Sequence, residues 1–382
     1  MRLAVYTDYP YHRIDGRIYA ERAFAIFLAG LAPHFDRFTV IGRLAPDTDR
    51  GRYALGEQVE LVPLPYYARL SEPLPVARAL VGSVRSYWKA LADIDCIWLL
   101  GPHPIAFLFA ALAKLRGKQV ILGVRQDFPE YVRNRHPHRR LLRASAIAFE
   151  SAFQFLGRFC SVVVVGPKLT GDYRHSRRLL QLAVSLVDEA DVVSPASRQR
   201  DYDGTLKVLS VGRLDREKNP LLLADVLAAL NREDPNRWRL VVCGEGSMED
   251  ELSERLDELG VRDSAELRGY VAHEELKELY SECHMLLHVS WTEGLPQVLF
   301  EAFAAATPVV ATDVGGIREA TESAVSLIPP GDRDAAAEAL RRLANDPHLR
   351  EQLALAGHAI VASMTLQEET SRLAGFLSGG GQ

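Results

Sequence analysis

Cysteine is scarce in this chain, and its four residues do not form pairs along the sequence. They stand far apart, with no Cys-x-x-Cys spacing, at Cys96, Cys160, Cys243 and Cys283. Structural zinc sites and disulfide frameworks need cysteines in closer or more numerous sets. The scarcity therefore argues against both, and it favours reduced thiols in a cytoplasmic protein.

Long apolar runs and a strong net charge are missing as well. No uninterrupted apolar run approaches the roughly 20 residues of a membrane-spanning helix. A formal charge of −5 gives no reason to expect nucleic acid as a partner. The segment from Met1 to Asp8 is typical of a short strand that runs into a polar loop, and not of a signal peptide. We therefore expect a cytoplasmic, globular protein.

A glycine-rich turn is absent after the first apolar strand. The residues there are Thr7-Asp-Tyr-Pro-Tyr-His12, whereas dinucleotide-binding folds carry G-x-G-x-x-G at this point. A second glycine turn, Gly244-Glu-Gly-Ser247, also falls short of that motif. A nicotinamide-dependent dehydrogenase is therefore disfavoured.

The sequence does contain a regular alternation of short apolar runs with longer helical patterns. The first half predicts strands at 3–6, 38–41, 96–100, 119–123 and 161–165. The second half predicts strands at 206–211, 239–243, 265–267, 285–289, 308–311 and 324–328. Such alternation predicts parallel sheets covered by helices, an α/β fold class.

A polar segment, 194–204, interrupts this alternation with several turn-forming and charged residues. A length of 382 residues favours two domains, each with its own core. We predict an amino-terminal domain at 1–193, a linker at 194–205 and a carboxyl-terminal domain at 206–364. Ligands of open α/β sheets bind outside the carboxyl ends of the strands, so two facing sheets predict a site in the cleft between them.

Two glutamates frame the most informative motif of the second half. Glu293 and Glu301 stand eight positions apart (301 − 293 = 8) in the sequence EGLPQVLFE, which follows an apolar run that predicts a strand. Pro296 stands where a first helical residue is favoured, which predicts a helix from that point. The free N–H groups of Gly294 and Leu295 would suit hydroxyl or phosphate oxygens.

The spacing of these two glutamates bears on the reaction type. The two carboxylates of a glycoside hydrolase lie roughly 5 to 9.5 Å apart, whereas eight residues of helix rise about 12 Å. The spacing therefore favours two ends of one long ligand over hydrolysis. For the pair alone, two solvated glutamates that share no ligand are the alternative.

Cations follow another predicted strand of the second half. Arg213 and Lys218 come after Gly212 in the loop beyond strand 206–211, where two cations can neutralise a diphosphate. Two solvated loop cations are the alternative interpretation.

Glycines follow the remaining strands. Gly244 and the pair at 315–316 either make tight turns or let the backbone approach a ligand closely. The backbone at Tyr270 and Val271, after Gly269, could approach a nucleobase, and a plain turn is equally compatible.

The ordered series of these motifs, from about 206 to 335, resembles the retaining GT-B glycosyltransferases of family 4, the glycosyl transferases group 1. The series consists of Gly-Arg…Lys at 212–218, Gly-Glu-Gly-Ser at 244–247, Arg-Gly-Tyr-Val at 268–271, Leu-Tyr at 279–280, Glu-x7-Glu at 293–301 and Val-Gly-Gly-x-x-Glu at 314–319. The resemblance implies a GT-B fold, in which two Rossmann-like domains face each other across a cleft. It also implies a helix at 365–378 that crosses back to the amino-terminal domain.

The resemblance further implies roles for individual residues around a nucleoside-diphosphate sugar, UDP- or GDP-linked. It places Arg213 and Lys218 on the diphosphate, Glu301 on the ribose hydroxyls, and Glu293 at the transferred sugar. The implied catalytic residues are Arg213, Lys218 and Glu293. The implied donor-binding residues are Gly16, Gly212, Arg213, Lys218, Gly244, Tyr270, Val271, Glu293, Gly294, Leu295, Pro296 and Glu301.

No metal and no cofactor other than this co-substrate is expected. Two cations already oppose the charge that develops on the departing diphosphate. Asp93-Ile-Asp95 has the spacing of an Asp-x-Asp metal motif, but it precedes a predicted strand instead of following one. We interpret it as a solvated turn.

The amino-terminal half departs from the family pattern at two places. Relatives usually carry a Gly-Gly loop after the first strand, and here only Gly16 matches it. Relatives also tend to carry a histidine that touches the donor sugar, and here Arg125 stands at that position with Asp127 two residues on. These two residues and His103, at the start of a predicted helix, are candidates for the sugar or acceptor pocket. A locally satisfied histidine is the alternative for His103.

Two basic features bear on the acceptor, which we expect to be a carbohydrate, a lipid-linked compound or a small molecule. Segment 133–140 with Arg143 concentrates positive charge, and segment 76–91 places Arg78, Arg85 and Lys89 among apolar residues at helical spacing. Together they suit an anionic membrane or a lipid-phosphate acceptor, with the protein at the inner face of the membrane. The favoured alternative is a solvated basic loop and a helix packed on its own sheet.

The sequence thus predicts a retaining, metal-independent hexosyltransferase that acts on a nucleoside-diphosphate sugar. Two alternatives stay open. A GT-B sugar-nucleotide epimerase would need acids and bases for proton transfer in the cleft. A nucleotide-sugar-binding protein with weak turnover is compatible with the altered region at Arg125.

Overall fold

The computed structural model describes residues 1–46, 51–67, 73–135, 138–197, 200–321 and 323–379. The chain forms two compact units. One comprises Met1–Leu186 together with Leu366–Gln382, and the other comprises Val187–Thr365. Each unit is built on its own sheet, which confirms the predicted α/β class with two parallel sheets. In the described part of the chain, no helix has the length and apolar character needed to span a membrane.

The amino-terminal unit has helices on both faces of its sheet. Its strands are β1 (Arg2–Ile14), β2 (Arg17–Ala20), β3 (Arg37–Leu44), β4 (Tyr53–Ala54), β5 (Val59–Leu64), β6 (Cys96–Gly101), β7 (Gln119–Val124), β8 (Ser161–Val165) and β9 (Arg178–Leu182). Its helices up to residue 186 are α1 (Phe24–Leu31), α2 (Pro73–Ala90), α3 (Pro104–Leu115), α4 (Phe128–Arg135), α5 (Arg140–Gly157) and α6 (Pro167–Asp172).

The parallel strands of this unit lie in the order β5-β3-β1-β6-β7-β8-β9. The central strand β1 is buried on both faces: Leu3 and Val5 belong to one core, and Ala4 and Tyr6 to the other. Burial on both faces explains why this strand appears in the sequence as an uninterrupted apolar run. The far end of β1 turns back into an antiparallel hairpin with β2, which pairs with β4.

The carboxyl-terminal unit repeats the parallel design. Its strands are β10 (Leu206–Val211), β11 (Trp238–Cys243), β12 (Ala265–Leu267), β13 (Met285–His288), β14 (Val309–Thr312) and β15 (Val325–Ile328). Its helices are α7 (Leu221–Glu233), α8 (Glu249–Glu258), α9 (His273–Glu282), α10 (Gln297–Ala304), α11 (Ile317–Thr321), α12 (Arg333–Asn345) and α13 (Pro347–Ala362).

The strand order of this second sheet is β12-β11-β10-β13-β14-β15, and all pairs are parallel. Counted within the unit, this is the doubly wound order 3-2-1-4-5-6, which reverses direction between β10 and β13. Ligands of such sheets bind at that reversal, beyond the carboxyl ends of the strands. The fold therefore points to the loops that follow β10 and β13.

The predicted linker, 194–205, lies inside the second unit, because the first unit ends at Leu186. The Arg200 guanidinium donates hydrogen bonds to the carbonyl oxygens of Ala305 and Ala306 and to the Thr307 hydroxyl, at 3.2, 2.9 and 2.8 Å. These carbonyls follow the carboxyl end of α10, where a cation is favourable. The positive charge of Arg200, one of the charges that suggested a linker, thus stabilises the carboxyl end of a helix.

A last helix, α14 (Leu366–Leu377), belongs to the amino-terminal unit. Leu373 and Leu377 are fully buried in one of that unit's cores. Glu369 on the same helix accepts a hydrogen bond from the Ala183 N–H at 2.6 Å. Burial raises the pKa of Glu369 despite its ion pair with Arg372.

Candidate functional site

The loops after β10 and β13 meet at the reversal of the second sheet. A short 3-10 turn, Arg216–Lys218, follows β10 and ends at Asn219, whose φ of 53° is left-handed. Asparagine tolerates this conformation better than most residues. The Trp291 N–H, beyond β13, donates to the Glu217 carbonyl oxygen at 2.9 Å. The two loops are therefore joined.

Glu293 lies at this junction and is the most heavily hydrogen-bonded group there. Its Oε1 accepts from Lys218 Nζ at 2.5 Å and from Ser290 Oγ at 2.6 Å, and it lies 2.9 Å from His288 Nε2. The side chain is only 8% exposed. Burial alone would raise the pKa of Glu293, but the His288 hydrogen bond and the Lys218 charge lower it to about 2. At neutral pH this group is a fixed negative charge.

Arg213, the second predicted cation, is held by carboxylates of its own loop. Its guanidinium pairs with Asp215, and Nη2 lies 2.8 Å from Glu217 Oε1. The side chain is about half exposed. Exposed ion pairs of this kind contribute little to stability, so an anion of higher charge can compete for the guanidinium.

A small pocket adjoins these cations. Its lining combines the backbone at the end of β10 with Arg213, Lys218, His288 and Ser290. Two of the predicted catalytic residues, Arg213 and Lys218, therefore share one small pocket with His288 and Ser290, which contact the third, Glu293. This arrangement can hold an anion and oppose negative charge that develops within it.

The glycines near this pocket allow the loops to pass close to one another. A Cβ added to Gly244, whose φ is 140°, would lie 1.9 Å from the Gly212 carbonyl oxygen. A Cβ added to Gly315, whose φ is 59°, would lie 2.0 Å from the Glu293 carbonyl oxygen. Only glycine fits such approaches. These glycines therefore set the position of the loops that carry Arg213 and Glu293.

Glu301 projects from α10 and lines a second, larger pocket. Its Oε2 accepts from the Tyr280 hydroxyl at 2.8 Å. Burial raises the pKa of Glu301, and the Tyr280 hydrogen bond opposes that rise. His273 and Lys277 of α9 also line the pocket. Glu301 is thus placed to accept hydrogen bonds from hydroxyl groups that enter there.

The helix-rise argument for the spacing of the two glutamates is wrong. Helix α10 begins at Gln297, and Pro296 is its extended N-cap residue, with φ −75° and ψ 122°. Glu293, Gly294 and Leu295 therefore precede the helix. The distance between the two carboxylates is not set by eight residues of continuous helix, and the amides of Gly294 and Leu295 belong to the loop.

The backbone at Tyr270 and Val271 follows a turn at Gly269, whose φ is 63°. The Gly269 carbonyl oxygen accepts from the Gly244 N–H at 2.7 Å, which ties this turn to the loop after β11. Tyr270 is partly exposed, and Val271 packs against a core of the unit.

Gly16 lies in the turn between β1 and β2. Ile14 pairs with Arg17, so the turn consists of Asp15 and Gly16, with φ values of 49° and 79°. Two residues of positive φ are typical of two-residue hairpin turns, and Asp-Gly is a favoured sequence for them. The hairpin alone accounts for this glycine.

His103 lies at the reversal of the first sheet, between β1 and β6. Its Nδ1 accepts from the Ile105 N–H at 3.3 Å, which caps α3, and its Nε2 lies 3.3 Å from Asp8 Oδ2. Asp8 also accepts from the Tyr67 hydroxyl at 2.6 Å and lies 3.4 Å from Arg43 Nε. Burial would raise the pKa of Asp8, but His103 and Arg43 lower it.

Arg125 and Asp127 follow β7 and have structural partners. The Arg125 guanidinium hydrogen-bonds the Tyr9 hydroxyl and lies 4.0 Å from the centre of the Phe24 ring. Asp127 accepts from the Glu130 N–H at 2.8 Å, near the start of α4, and pairs with Lys168 at 2.8 Å. Burial alone would raise the pKa of Asp127, but Lys168 and the hydrogen bond from the Glu130 N–H lower it.

The sequence interpretation did not single out His288, Ser290 or Asp8. His288 is part of an apolar run, which hides a side chain that emerges at the end of β13. Its position at a strand's carboxyl end was the available signal. Asp8 carried the same signal, since it follows the residues of β1 that pair with β6.

The described residues also bear on metal binding. Within the residues that the structure describes, no group of three or more His, Cys, Asp or Glu side chains is placed to hold a metal ion. Asp95 of the Asp-x-Asp sequence pairs with Arg2 at 2.7 Å, and this pairing lowers the pKa of Asp95 to about 2.

Glu293 should stabilise the fold in a pH-dependent manner. A shift of its pKa from 4.5 to about 2 corresponds to about 3 kcal/mol at neutral pH. Because the pKa is lowered on folding, this stabilisation is complete above about pH 4.5 and is lost as the pH falls towards 2. Denaturant unfolding of wild type and Glu293→Gln at several pH values should therefore give a free-energy difference that shrinks in acid. The exposed Glu278→Gln is the control, and a difference for Glu293→Gln that stays constant with pH would contradict the prediction.

One protein-family model matches most of the second unit. Residues 196–359 match the model of the family described as Glycosyl transferases group 1. This match confirms, over that segment, the resemblance to the glycosyl transferases group 1.

Curated relatives match a little under half of the chain. The alpha-D-kanosaminyltransferase of Streptomyces kanamyceticus is 29% identical over 182 residues, which cover 46% of this chain and 47% of the relative. The D-inositol 3-phosphate glycosyltransferase of Frankia alni is 35% identical over 193 residues, which cover 44% of this chain and 47% of the relative. The chain thus spans about half the length of these relatives.

Solved structures match over the whole chain. Sucrose-phosphate synthase from Thermosynechococcus elongatus superimposes with a TM-score of 0.74 at 17% identity, over 99% of this chain and 98% of that one. Anabaena Alr3699/HepE, solved with UDP-glucose, gives 0.71 at 18% identity, over 99% of this chain and 100% of that one. These likenesses confirm the fold, with two Rossmann-like units of the GT-B type.

Proposed function

We propose that this chain, whose residues 196–359 match the glycosyl transferases group 1, is a family 4 glycosyltransferase that transfers a hexosyl group with retention of configuration. The donor is a nucleoside-diphosphate sugar, UDP- or GDP-linked. The acceptor is a hydroxyl of a glycan, a glycolipid or a small molecule. The observation that carries this proposal is the pocket at the reversal of the second sheet, which is lined by Arg213 and Lys218. Lys218 pairs there with the buried carboxylate of Glu293.

The diphosphate of the donor binds in this pocket. Lys218 supplies one positive charge next to Glu293, at a Nζ to Oε1 distance of 2.5 Å. Arg213 supplies a second once the diphosphate displaces the carboxylates of Asp215 and Glu217 from its half-exposed guanidinium. Both cations face negative charge that grows as the glycosidic bond to phosphate breaks, so they stabilise the transition state more than the bound donor.

The transferred sugar lies next to Glu293, and the ribose lies next to Glu301. Glu293 is held ionised, so it accepts hydrogen bonds from sugar hydroxyls and balances positive character on the ring. Glu301 and Tyr280 line the larger pocket, to which we assign the nucleoside. The UDP-glucose complex of HepE favours UDP among the nucleotides.

The acceptor hydroxyl binds to the amino-terminal unit. Asp8 is about one-quarter exposed and is oriented by Tyr67, Arg43 and His103, so its carboxylate can accept a hydrogen bond from a hydroxyl. Arg125 and Asp127 follow β7, which pairs with β6, the strand that precedes His103, so they extend this polar surface. We assign them to sugar or acceptor contacts.

The reaction then needs no protein nucleophile. The acceptor oxygen attacks the anomeric carbon from the side of the leaving group, and its proton passes to a departing phosphate oxygen. The bond between the anomeric carbon and the phosphate oxygen breaks as the bond to the acceptor oxygen forms. A Glu293 pKa of about 2 disfavours the epimerase alternative, because such a group is a poor acid and a weak base at neutral pH.

Release of nucleotide from a donor panel tests the proposal. Incubation with UDP-, GDP- and dTDP-sugars should give slow release of one nucleoside diphosphate, since water can replace the acceptor. The same release should persist in EDTA, because side chains and not a metal oppose the diphosphate charge. A Lys218→Ala sample run in parallel reports contaminating hydrolases. The transferase proposal fails if no donor is consumed, and metal independence fails if EDTA abolishes release and Mg²⁺ or Mn²⁺ restores it.

A further inference from the structure

Helices α2, α3 and α5 form one layer on a single face of the amino-terminal sheet. Their inward residues Tyr87, Phe109 and Phe153 belong to the same core. The rings of Tyr87 and Phe109 stack at 3.8 Å, and Phe107 of α3 meets Phe153 edge-on at 5.4 Å. The three helices are therefore neighbours, with α3 between the other two. We call this surface the α2-α3-α5 layer.

The outward side of this layer carries large apolar side chains in the solvent. Leu141, Ile147 and Phe155 of α5 are 88%, 58% and 59% exposed. Further exposed apolar residues of the layer are Leu74, Val81, Trp88, Leu108, Leu115, Leu142 and Phe159. Between the exposed residues of α5 stand alanines and serines that are also exposed, at 144, 145, 148, 151 and 152. The outward face of this helix is thus almost continuously uncharged over several turns, which is unusual for a solvated helix.

The charges that border these apolar residues have a single sign. Segments 73–91, 104–118 and 138–159 contain one carboxylate, Glu150, and it is buried against the Tyr173 hydroxyl at 2.7 Å. The same segments contain ten arginines and lysines: Arg78, Arg85, Lys89, Lys114, Arg116, Lys118, Arg139, Arg140, Arg143 and Arg158. The chain as a whole has more acidic than basic residues, 50 against 45, so this surface runs against the overall balance.

The packing of Arg116 against Trp88 shows that cationic and apolar side chains of the layer contact each other. The Arg116 guanidinium lies 4.0 Å from the centre of the Trp88 ring. Tryptophan and arginine in contact suit the boundary between lipid headgroups and acyl chains. On the neighbouring α4, Asp127 and Glu130 are paired with Lys168, at 2.8 and 2.5 Å, which reduces the negative field beside the layer.

We propose that the α2-α3-α5 layer docks on an anionic lipid bilayer. The exposed apolar side chains enter the interfacial region, and the arginines and lysines contact lipid phosphates. A second copy of the chain on the same surface is disfavoured, because it would bring cations against cations. The proposal concerns binding to a surface, so it does not depend on which reaction the chain catalyses.

Vesicle flotation tests the docking. Full-length protein should float with vesicles of equal parts phosphatidylglycerol and phosphatidylcholine at about 0.1 M salt, and not with phosphatidylcholine alone. Raising the salt to about 1 M should weaken the binding strongly, because the Debye length falls from about 10 to 3 Å. Equal binding to both vesicle types, or no binding to the anionic vesicles, would overturn the proposal.

Two double variants separate the electrostatic contribution to vesicle binding from the apolar contribution. Arg139→Glu with Arg140→Glu should reduce the affinity for anionic vesicles by about tenfold or more, and Ile147→Asp with Phe155→Asp should reduce it similarly. All four side chains are exposed, so thermal unfolding should stay near that of wild type. The matched controls on the other unit are Arg342→Glu and Leu355→Asp, both at exposed positions. Wild-type affinity in both layer variants, or equal losses in the controls, would show that the layer is not the docking surface.

Discussion

Alanine at Lys218 is expected to reduce turnover by about 10²- to 10³-fold, and alanine at Arg213 should give a loss of similar order. Removing one positioned donor to a developing anion has this magnitude in other enzymes. Lys218 lies 2.5 Å from Glu293 Oε1 and is the less exposed of the two cations, so water cannot readily replace it. The change should appear in kcat, because the charge it opposes develops as the diphosphate departs. Steady-state kinetics with a confirmed donor and acceptor provide the measurement.

A matched control for the alanine variants of Lys218 and Arg213 is available in the same loop. Arg216 lies between the two cations in sequence and is exposed, so Arg216→Ala should keep turnover within about twofold of wild type. Lys218→Ala also leaves the Glu293 carboxylate buried without its ion pair, so thermal unfolding must be measured beside activity. Wild-type turnover in both Lys218→Ala and Arg213→Ala would exclude a diphosphate from the pocket.

Exchange of the two glutamates for glutamine should separate their roles. Glu293→Gln removes the charge that fixes Lys218 and lies beside the reacting sugar, so kcat should fall by about 10²-fold with a smaller change in donor KM. Glu301→Gln keeps a hydrogen-bond acceptor beside Tyr280, so it should chiefly raise donor KM. Donor kinetics of both variants, with Glu278→Gln as an exposed control on α9, provide the comparison.

Three outcomes would count against this division of roles. Identical kinetic defects would mean that the two carboxylates do not contact different parts of the donor. A covalent glycosyl adduct on either residue, detected by mass spectrometry, would mean that a protein nucleophile takes part. A larger kcat effect at Glu301 than at Glu293 would reverse the placement of sugar and ribose.

The positions of Arg213, Lys218 and Glu293 at strand ends were predictable from the sequence. Apolar runs locate the strands, and the doubly wound order brings the ends of β10 and β13 together. The partners of Arg213 were not predictable, because the sequence pattern does not show the short 3-10 turn at Arg216–Lys218 that carries Glu217. A sequence pattern shows which residues share a loop, and backbone dihedrals decide which of them meet.

The errors in the sequence interpretation came from local rules that neighbouring structure overrides. Pro296 favours a helix start, yet it forms an extended cap, and α10 begins one residue later. The resemblance implies a donor contact for Gly16, which stays a prediction, and the hairpin pairing of Ile14 with Arg17 explains the positive φ of this glycine. Arg200 lies in a polar, breaker-rich segment, yet it binds carbonyls more than 100 residues away in sequence. Such distant partners leave no trace in a short window.

The placement of α14 has a consequence for how the polypeptide is made. Glu369 and Ala183 are joined by a hydrogen bond although 186 positions separate them, and the whole second unit lies between them in the sequence. A ribosome synthesises the chain from the amino terminus, so it must complete Val187–Thr365 before α14 exists. Until then, the core that receives Leu373 and Leu377 is exposed on the nascent chain. The amino-terminal unit is synthesised first, yet its core can be completed only after the second unit has been synthesised.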